Sequence, residues 1–205
     1  ILYQNKFINN FYHCFSLSDM KDLAYFSAKK TNWKDNSFLQ SRDFIKKLEH
    51  IDQMWDYLNH KNGNILAVKN LRGKNKEEFN YSQLHKKITK VSKAFFNLGL
   101  RRGEVVALIS ENSPRWLIAD QAIMRIGAID AVRGCNSPSI EIEYIIKHSK
   151  AVGLIIESRS AWEKLVIKHE IIENLKFLIV LDDESFGDFL GWNKFLEIGN
   201  DNPSA

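Results

Sequence analysis

The stretch that decides the fold is residues 104–134, which reads EVVALISENSPRWLIADQAIMRIGAIDAVRG. Its apolar run, Val105 to Ile109, is too short for a helix and is typical of a strand buried on both faces. Ser113 and Pro114 then predict the start of a helix, because a proline at the first helical position loses no hydrogen bond. Gly127 predicts the end of that helix. The stretch therefore indicates a strand followed by a helix that leads back toward the same sheet.

The alternation of strands and helices continues after this helix. A second strand is predicted at Ala128 to Val132, a second helix begins at Ser137-Pro138, and a third strand spans Val152 to Ile156. Phe177 to Leu181 predicts a fourth buried strand. Because short links join alternating strands and helices, we expect parallel pairing with right-handed crossovers. The predicted fold class is therefore α/β, a mostly parallel sheet with covering helices.

The most regular helix of the chain is predicted to have Ser82 as its N-cap and to end at Gly99. Its apolar residues recur at alternating spacings of four and three and form one stripe: Leu84, Ile88, Val91, Phe95 and Leu98. The other side carries lysines at positions 86, 87, 90 and 93. A phosphate-binding or anionic-membrane surface is one interpretation of these lysines, and a solvated helix face is the one we favour.

Shorter elements are predicted on both sides of these segments. Upstream, the sequence predicts a helix at Asp52 to Asn59, a strand at Ile65 to Lys69 and a short strand around Phe79 to Tyr81. Downstream, it predicts an amphipathic helix at Ser160 to Glu173 and one more short helix at residues 186–198.

Composition is that of a folded protein and argues against several function classes. The chain has 205 residues, 44% hydrophobic and 12% aromatic, which is enough for a core. The net charge of +4 is spread along the chain, so nucleic-acid binding is not favoured. Neither Cys14 nor Cys135 has a partner at metal-ligand spacing. No apolar run approaches the roughly 20 residues that cross a bilayer, and we expect a cytoplasmic location.

No catalytic or metal-binding motif is found in the sequence, which has no Walker loop and no Gly-x-Gly-x-x-Gly. Trp116 is a candidate for lining an acyl pocket, although covering the sheet edge explains it better. Arg133 follows a strand at its carboxyl end, where ligands of open α/β sheets bind. Asp182, Asp183 and Glu184 follow another strand at that edge, where a metal contact, a ribose contact and simple solvation all fit.

Several runs of residues resemble the N-terminal region of adenylate-forming (AMP-binding) enzymes. They are FNYSQL (79–84), LGLRRGEVVAL (98–108), ENSPRWLIADQAIMRIGAI (111–129) and EIEYII (141–146). The phrases ADQ and AVRG, at residues 119–121 and 131–134, are most similar to the long-chain acyl-CoA or acyl-ACP synthetases of cyanobacteria and plastids. The resemblance covers roughly residues 52 to 185.

The resemblance implies a domain division. It identifies residues 51–199 as part of the N-terminal subdomain of the large domain of such an enzyme. Residues 1–50 lie outside it and are expected to form an irregular arm. Residues 1–19 are candidates for non-native sequence, because residue 1 is Ile and Met20 suits a start. Residues 200–205 are expected to be a linker or a truncation end.

The resemblance also implies the chemistry of the complete enzyme. Such enzymes use ATP with Mg to form an acyl-adenylate, and a thiol of CoA or of an acyl carrier protein then displaces AMP. The family's Ser/Thr/Gly-rich loop ending in Pro-Lys-Gly, its later glutamate and its C-terminal lysine are not in this sequence. No catalytic, cofactor-binding or metal-binding residue is therefore assigned, and we expect the residues that bind ATP, Mg and CoA to lie beyond this chain.

Three hypotheses remain open from the sequence. The first is an N-terminal fragment of an ATP-dependent long-chain fatty acid ligase that is inactive alone. Peripheral association of this ligase with a membrane is one alternative for its location. The second is a non-catalytic truncated remnant or a partner-binding α/β module. The third is a free-standing nucleotide-binding α/β domain, against which the missing glycine loop argues.

Overall fold

The structure of the chain is a computed structural model that describes residues 48–70 and 77–200. Contacts divide the chain into two units, Ile1–Lys47 and Leu48–Ala205, of which only the second contains described residues. The predicted arm at residues 1–50 lies almost wholly outside the described residues, and so do residues 201–205 of the predicted linker. These domain boundaries stay predictions.

The described residues form seven helices and seven strands. The helices are α1 Gln53–Asn62, α2 Tyr81–Asn97, α3 Pro114–Ile126, α4 Ser139–His148, α5 Arg159–Trp162, α6 His169–Ile172 and α7 Trp192–Ile198. The strands are β1 Leu66–Lys69, β2 Glu78–Asn80, β3 Val105–Ile109, β4 Ile129–Arg133, β5 Gly153–Ile156, β6 Phe177–Val180 and β7 Leu190–Gly191.

The main sheet confirms the predicted fold class. Its five strands lie in the order β4-β3-β5-β6-β7, and every neighbouring pair is parallel. Strands β1 and β2 form a separate antiparallel pair. Strand β3 lies inside the sheet, because it pairs with both β4 and β5. The four strands predicted from apolar runs are all present.

The core consists of two apolar layers on opposite faces of the sheet. Val106 and Leu108 of β3 belong to one layer, which is covered by α1, α2, α3 and α7. Ala107 and Ile109 belong to the other layer, which is covered by α4, α5 and α6. Alternate side chains of a strand point to opposite faces. Strand β3, which the sequence predicts to be buried on both faces, therefore contributes side chains to both layers.

Helix α3 begins and ends where the sequence predicts. The Ser113 Oγ accepts a hydrogen bond of 3.0 Å from the Trp116 N–H, and Pro114 occupies the first helical position. Gly127 ends the helix in the left-handed conformation, with φ of 77°. These caps fix both ends of α3, and its first turn follows the carboxyl end of β3 in the chain.

The predicted N-cap of helix α2 is wrong. Helix α2 is capped by Asn80 and not by Ser82: the Gln83 N–H donates to the Asn80 Oδ1 at 2.8 Å, and the Asn80 N–H donates to the Gln83 Oε1 at 3.0 Å. This reciprocal pair satisfies two backbone donors at once and outcompetes a serine two residues later. Helix α4 begins at Ser139 with Pro138 at its N-cap, next to the start predicted at Ser137-Pro138.

The single helix predicted at Ser160 to Glu173 is also wrong. The structure has two one-turn helices, α5 and α6, joined by an irregular segment. Within that segment the Val166 N–H donates to the Ser139 Oγ at 2.9 Å, and the Lys168 N–H donates to the Glu143 Oε1 at 2.8 Å. Side chains of α4 therefore take backbone donors that a continuous helix would use.

The helix predicted at residues 186–198 begins only at Trp192. Phe186 and Phe189 bridge each other, and β7 then pairs with the end of β6, with Val180 opposite Gly191. A strand of two residues has no periodicity to detect, and its pairing depends on a strand ten residues away along the chain.

We predict that Gly153→Ala destabilises the domain. A Cβ at this position would lie 2.2 Å from the Phe177 Cε2, and the Phe177 ring packs on Phe95 with 5.6 Å between ring centroids. Overpacking of this kind costs roughly 1–3 kcal/mol in the free energy of unfolding, to be measured by urea denaturation. Phe177→Leu removes the clashing ring, so Gly153→Ala should cost less in that background. Equal costs in both backgrounds would contradict the explanation.

Candidate functional site

A cleft of about 1000 Å³ opens at the carboxyl ends of β3, β5 and β6. Its walls are the segments that follow these strands, together with residues next to β1 and β2. The lining side chains include Asn70, Glu77, Glu111, Arg115, Glu157, Arg159, Asp182, Asp183, Glu184 and Phe186. Ligands of open α/β sheets collect at this edge, so the cleft is the candidate site.

Carboxylates dominate the charge of the cleft. Among the described residues, six acids line it, against two arginines: Glu77, Glu111, Glu157, Asp182, Asp183 and Glu184 against Arg115 and Arg159. Arg115 is engaged by two of the acids, and Arg159 forms an exposed pair with Glu163 at 2.7 Å. The part of the lining that the structure describes is therefore acidic.

Arg115 ties three segments of the cleft together. Its Nε and Nη2 donate to the Glu77 Oε1 at 3.0 and 2.9 Å. Its Nη1 donates to the Leu181 carbonyl at 2.6 Å and lies 2.9 Å from the Asp183 Oδ1. Only 12% of the Arg115 side chain is exposed. The guanidinium thus joins the start of α3 to the segment before β2 and to the end of β6.

The two acids also keep Arg115 charged. Burial acts to lower the pKa of its guanidinium, but the hydrogen bonds and charges of Glu77 and Asp183 outweigh burial, and the pKa is raised. The Arg115 guanidinium is therefore fixed in charge and in position, as expected of a residue that holds neighbouring segments together.

Glu157 connects β5 to the end of β3. Its Oε2 accepts a hydrogen bond of 2.7 Å from the Glu111 N–H and one of 3.3 Å from the buried Ser110 hydroxyl. Burial, with the charges of Glu157 and Glu111, raises the pKa of the nearby Cys135 thiol to about 11. Cys135 is therefore protonated at neutral pH and is a poor nucleophile.

The acidic turn at residues 182–185 is held by β7 and by the first residue of α7. The Trp192 N–H donates to the Asp182 carbonyl at 2.7 Å, and the Gly191 N–H donates to the Ser185 Oγ at 2.9 Å. A Cβ on Gly191 would lie 2.4 Å from the backbone of Glu184. The acidic turn can therefore lie this close to β7 only because residue 191 is a glycine. The turn is thus a positioned part of the cleft wall.

The sequence-predicted contact residues lie elsewhere. Trp116 is half-buried against the core layer that includes α3, and its Nε1–H is buried without a hydrogen-bond partner among the described residues. The Arg133 Nη2 lies 2.7 Å from the Glu141 Oε1, and about half of that arginine side chain is exposed. Neither Trp116 nor Arg133 is among the described residues that line the cleft, and their role as substrate contacts stays a prediction.

The acids predicted at the sheet edge do line the cleft, whereas Arg115, Glu77 and Glu157 are cleft residues that sequence reasoning missed. Arg115 carries one signal that could have found it. A cation in the first turn of a helix opposes the helix dipole, and such a residue usually has an acidic partner. Glu77 and Glu157 carry no local signal, because their partners lie 38 and 46 residues away.

The lining does not fit the cofactors that the sequence resemblance implies. Among residues 48–70 and 77–200, no group of three or more His, Cys, Asp or Glu side chains could hold a metal ion. The described lining residues carry more carboxylates than cations, and the sequence has no glycine-rich loop between a strand and a helix to bind a triphosphate. No step that involves ATP is therefore assigned to the cleft.

Comparison with known proteins identifies the family. The profile of a family described as AMP-binding enzyme matches residues 57–200. The chain belongs to the AMP-binding enzyme family. The match agrees with the resemblance carried by the motifs between residues 79 and 146.

Relatives of this AMP-binding family member include fatty acid ligases. A chloroplastic long-chain-fatty-acid–acyl-carrier-protein ligase of Arabidopsis thaliana is 34% identical over 101 residues, which is 49% of this chain and 14% of that protein. A long-chain-fatty-acid–CoA ligase of Mus musculus is 27% identical over 143 residues, covering 68% of this chain and 21% of that protein. The chain thus spans about a fifth or less of the length of these relatives.

Solved structures show the same fold. An anthranilate CoA ligase in complex with anthranoyl-AMP superposes with a TM-score of 0.60 at 22% identity, over 71% of this chain and 26% of that one. The N-terminal subdomain of Klebsiella oxytoca NpsA superposes with a TM-score of 0.54 at 18% identity, over 76% of this chain and 34% of that one. The described domain therefore has the fold of the N-terminal subdomain of adenylate-forming enzymes.

We predict that Arg115→Met destabilises the domain by about 2–4 kcal/mol in the free energy of unfolding, because it leaves Glu77 and Asp183 without their cation. The matched control is Arg159→Met, which removes an exposed pair in the same cleft and should cost less than about 1 kcal/mol. Urea denaturation measures both variants. Equal losses for the two variants would contradict a clamp at Arg115.

Proposed function

We propose that the chain is the N-terminal part of an ATP-dependent long-chain fatty acid ligase. This enzyme would join a fatty acid to the thiol of CoA or of an acyl carrier protein through an acyl-adenylate. The observation that carries the proposal is the match of residues 57–200 to the AMP-binding enzyme family, together with fatty acid ligases among the relatives. The relatives differ in the thiol that accepts the acyl group: one is named for an acyl carrier protein and the other for CoA.

In this proposal the described residues supply framework rather than chemistry. They provide a sheet and a rigid cleft wall, and the acid-rich lining does not suit a triphosphate. The residues that bind ATP, Mg and CoA would then lie beyond this chain. Trp116 and Arg133 remain candidates for contact with the substrate only in the longer protein.

We further propose a cytoplasmic location, with peripheral contact to a membrane as the alternative, and no nucleic-acid partner. Within the described ranges, no helix has both the length and the apolar character needed to cross a bilayer. The lysines of α2 at positions 86 and 93 are exposed, which is compatible with a solvated face and with weak contact to anionic lipid.

The proposal predicts that the 205-residue chain alone forms no acyl-adenylate. Incubation with ATP, Mg and palmitate, followed by hydroxamate trapping, should give no product above a protein-free control. Calorimetry should show ATP binding weaker than about 1 mM. The product of the complete coding region, assayed in parallel, should form the adenylate with long-chain acids. ATP binding by the 205-residue chain at millimolar affinity or better would contradict the proposal.

A partner-binding α/β module is the second candidate, and exposed apolar side chains at one edge favour it. Ile129 and Val132 of the edge strand β4 are 54% and 44% exposed, and Ile140 and Tyr144 of α4 are 77% and 61% exposed. An open strand edge beside apolar side chains is a typical contact surface. If the product of the complete coding region forms no adenylate, this candidate replaces the ligase.

A further inference from the structure

The elements α1, β1 and β2 contribute little to the core. Among residues 48–70 and 77–80, Trp55 is the only buried residue. In β3 and β5, by contrast, every residue except Val105 is buried. The other apolar side chains of α1, β1 and β2 that pack on the core are only partly buried: Met54, Leu58, Ala67, Val68 and Phe79. Few buried contacts mean a low free energy of local opening, so these elements can open while the main sheet stays folded.

The elements α1, β1 and β2 also have little stability of their own. Strands β1 and β2 form a ribbon in which Lys69 pairs with Glu78, and the register shifts between Leu66 and Val68. Neither strand pairs with a further strand within the described residues. A ribbon of two strands is marginally stable by itself. Helix α1 has no side-chain hydrogen bond at its N-cap, Asp52. Helix and ribbon therefore depend on their contacts with α2 and α3.

Polar contacts hold α1 on these two helices. The Trp55 Nε1 donates to the Gln121 Oε1 of α3 at 2.7 Å. The Asp56 Oδ1 lies 2.6 Å from the His85 Nε2 of α2 and 3.6 Å from the Arg125 Nη2 of α3. The Asp56 side chain is about half exposed, and exposed ion pairs add little stability. Trp55 is therefore the main anchor of α1.

Glu77 holds the ribbon to the start of α3. Its Oε1 accepts both hydrogen bonds from Arg115, which also pairs with Asp183 at the end of β6. The side chains of Glu77 and Arg115 are 22% and 12% exposed, whereas those of Lys69 and Glu78, which pair within the ribbon, are 52% and 60% exposed. Solvent screens the Glu77–Arg115 pair less, so this pair is the stronger one.

The ribbon forms one wall of the cleft. Asn70 follows β1, Glu77 precedes β2, and both line the cleft. The Asn70 N–H donates to the Glu77 carbonyl at 2.7 Å, so both residues belong to the ribbon. The other described lining residues follow β3, β5 or β6 in the chain. Movement of the ribbon away from α3 would therefore widen the cleft without disturbing the main sheet.

We propose that α1, β1 and β2 form a flap that opens as one unit from α2 and α3, and that the Glu77–Arg115 pair is the latch that closes it over the cleft. Closure fixes the Asn70–Glu77 wall, and opening gives access to the cleft from that side. The flap goes beyond the ligase activity proposed above and does not depend on it.

Hydrogen exchange of backbone amides in the 205-residue chain, at one pH and corrected for intrinsic rates, tests the flap. The hydrogen-bonded amides of α1 and β1 should exchange at least about tenfold faster than those of β3 and β5. Glu77→Gln removes the charge of the latch and keeps its size. It should speed exchange in α1 and β1 by about fivefold and leave β3 and β5 unchanged.

The neighbouring residue provides a matched control. Glu78→Gln removes an exposed pair within the ribbon and should change exchange in α1 and β1 by less than about twofold. Trp55→Phe tests whether the flap is one unit, because it removes only the hydrogen bond to Gln121 at the far anchor. It should speed exchange in β1 by the same factor as in α1.

Thiol labelling gives a second readout, in a background with Cys14→Ser and Cys135→Ser. A cysteine introduced by Val68→Cys reports opening of the flap, because Val68 packs on the core. A cysteine introduced by Ile155→Cys in β5 reports opening of the main sheet. Adding Glu77→Gln should speed labelling at position 68 by about fivefold and leave position 155 unchanged.

Three results would each overturn the flap. The first is exchange in β1 as slow as in β3. The second is a Glu77→Gln variant that speeds labelling equally at positions 68 and 155, because the latch would then stabilise the whole domain. The third is a Trp55→Phe variant that speeds exchange in α1 and leaves β1 unchanged, because α1 and the ribbon would then open separately.

Discussion

The burial of β3 on both faces is the constraint on which the rest of the structure depends. A strand without solvent on either side must pair its backbone groups with other strands, and β3 does so with β4 and β5. Its side chains enter both apolar layers, so helices must cover both faces of the sheet. Parallel pairing then places the ends of β3, β5 and β6 together, and this shared end is the cleft.

The charge of the cleft separates framework from chemistry. Arg115 is held by Glu77, Asp183 and the Leu181 carbonyl, so this largely buried cation serves the fold and is not offered to an anion. The remaining acids leave the described part of the lining negative. In the function proposed above, the nucleotide would be bound by other parts of a longer protein.

The errors of sequence reasoning share one physical origin. Ser139 and Glu143 of α4 take backbone donors of Val166 and Lys168, and this interrupts a segment whose apolar pattern suits a helix. The pairing of Gly191 with Val180 creates a strand from two residues. In both places a contact with a distant segment overrides the local preference, and such contacts have no periodic signal.

The amino-acid sequence by itself determined the alternation of strands and helices, the fold class, the caps of α3 and the family motifs, because apolar periodicity and turn residues act over a few neighbours. Only the tertiary structure decided which side chains line the cleft. Arg115 meets Glu77 across 38 residues and Leu181 across 66. Groups that are this far apart in the sequence come into contact only after the sheet has brought the ends of its strands together.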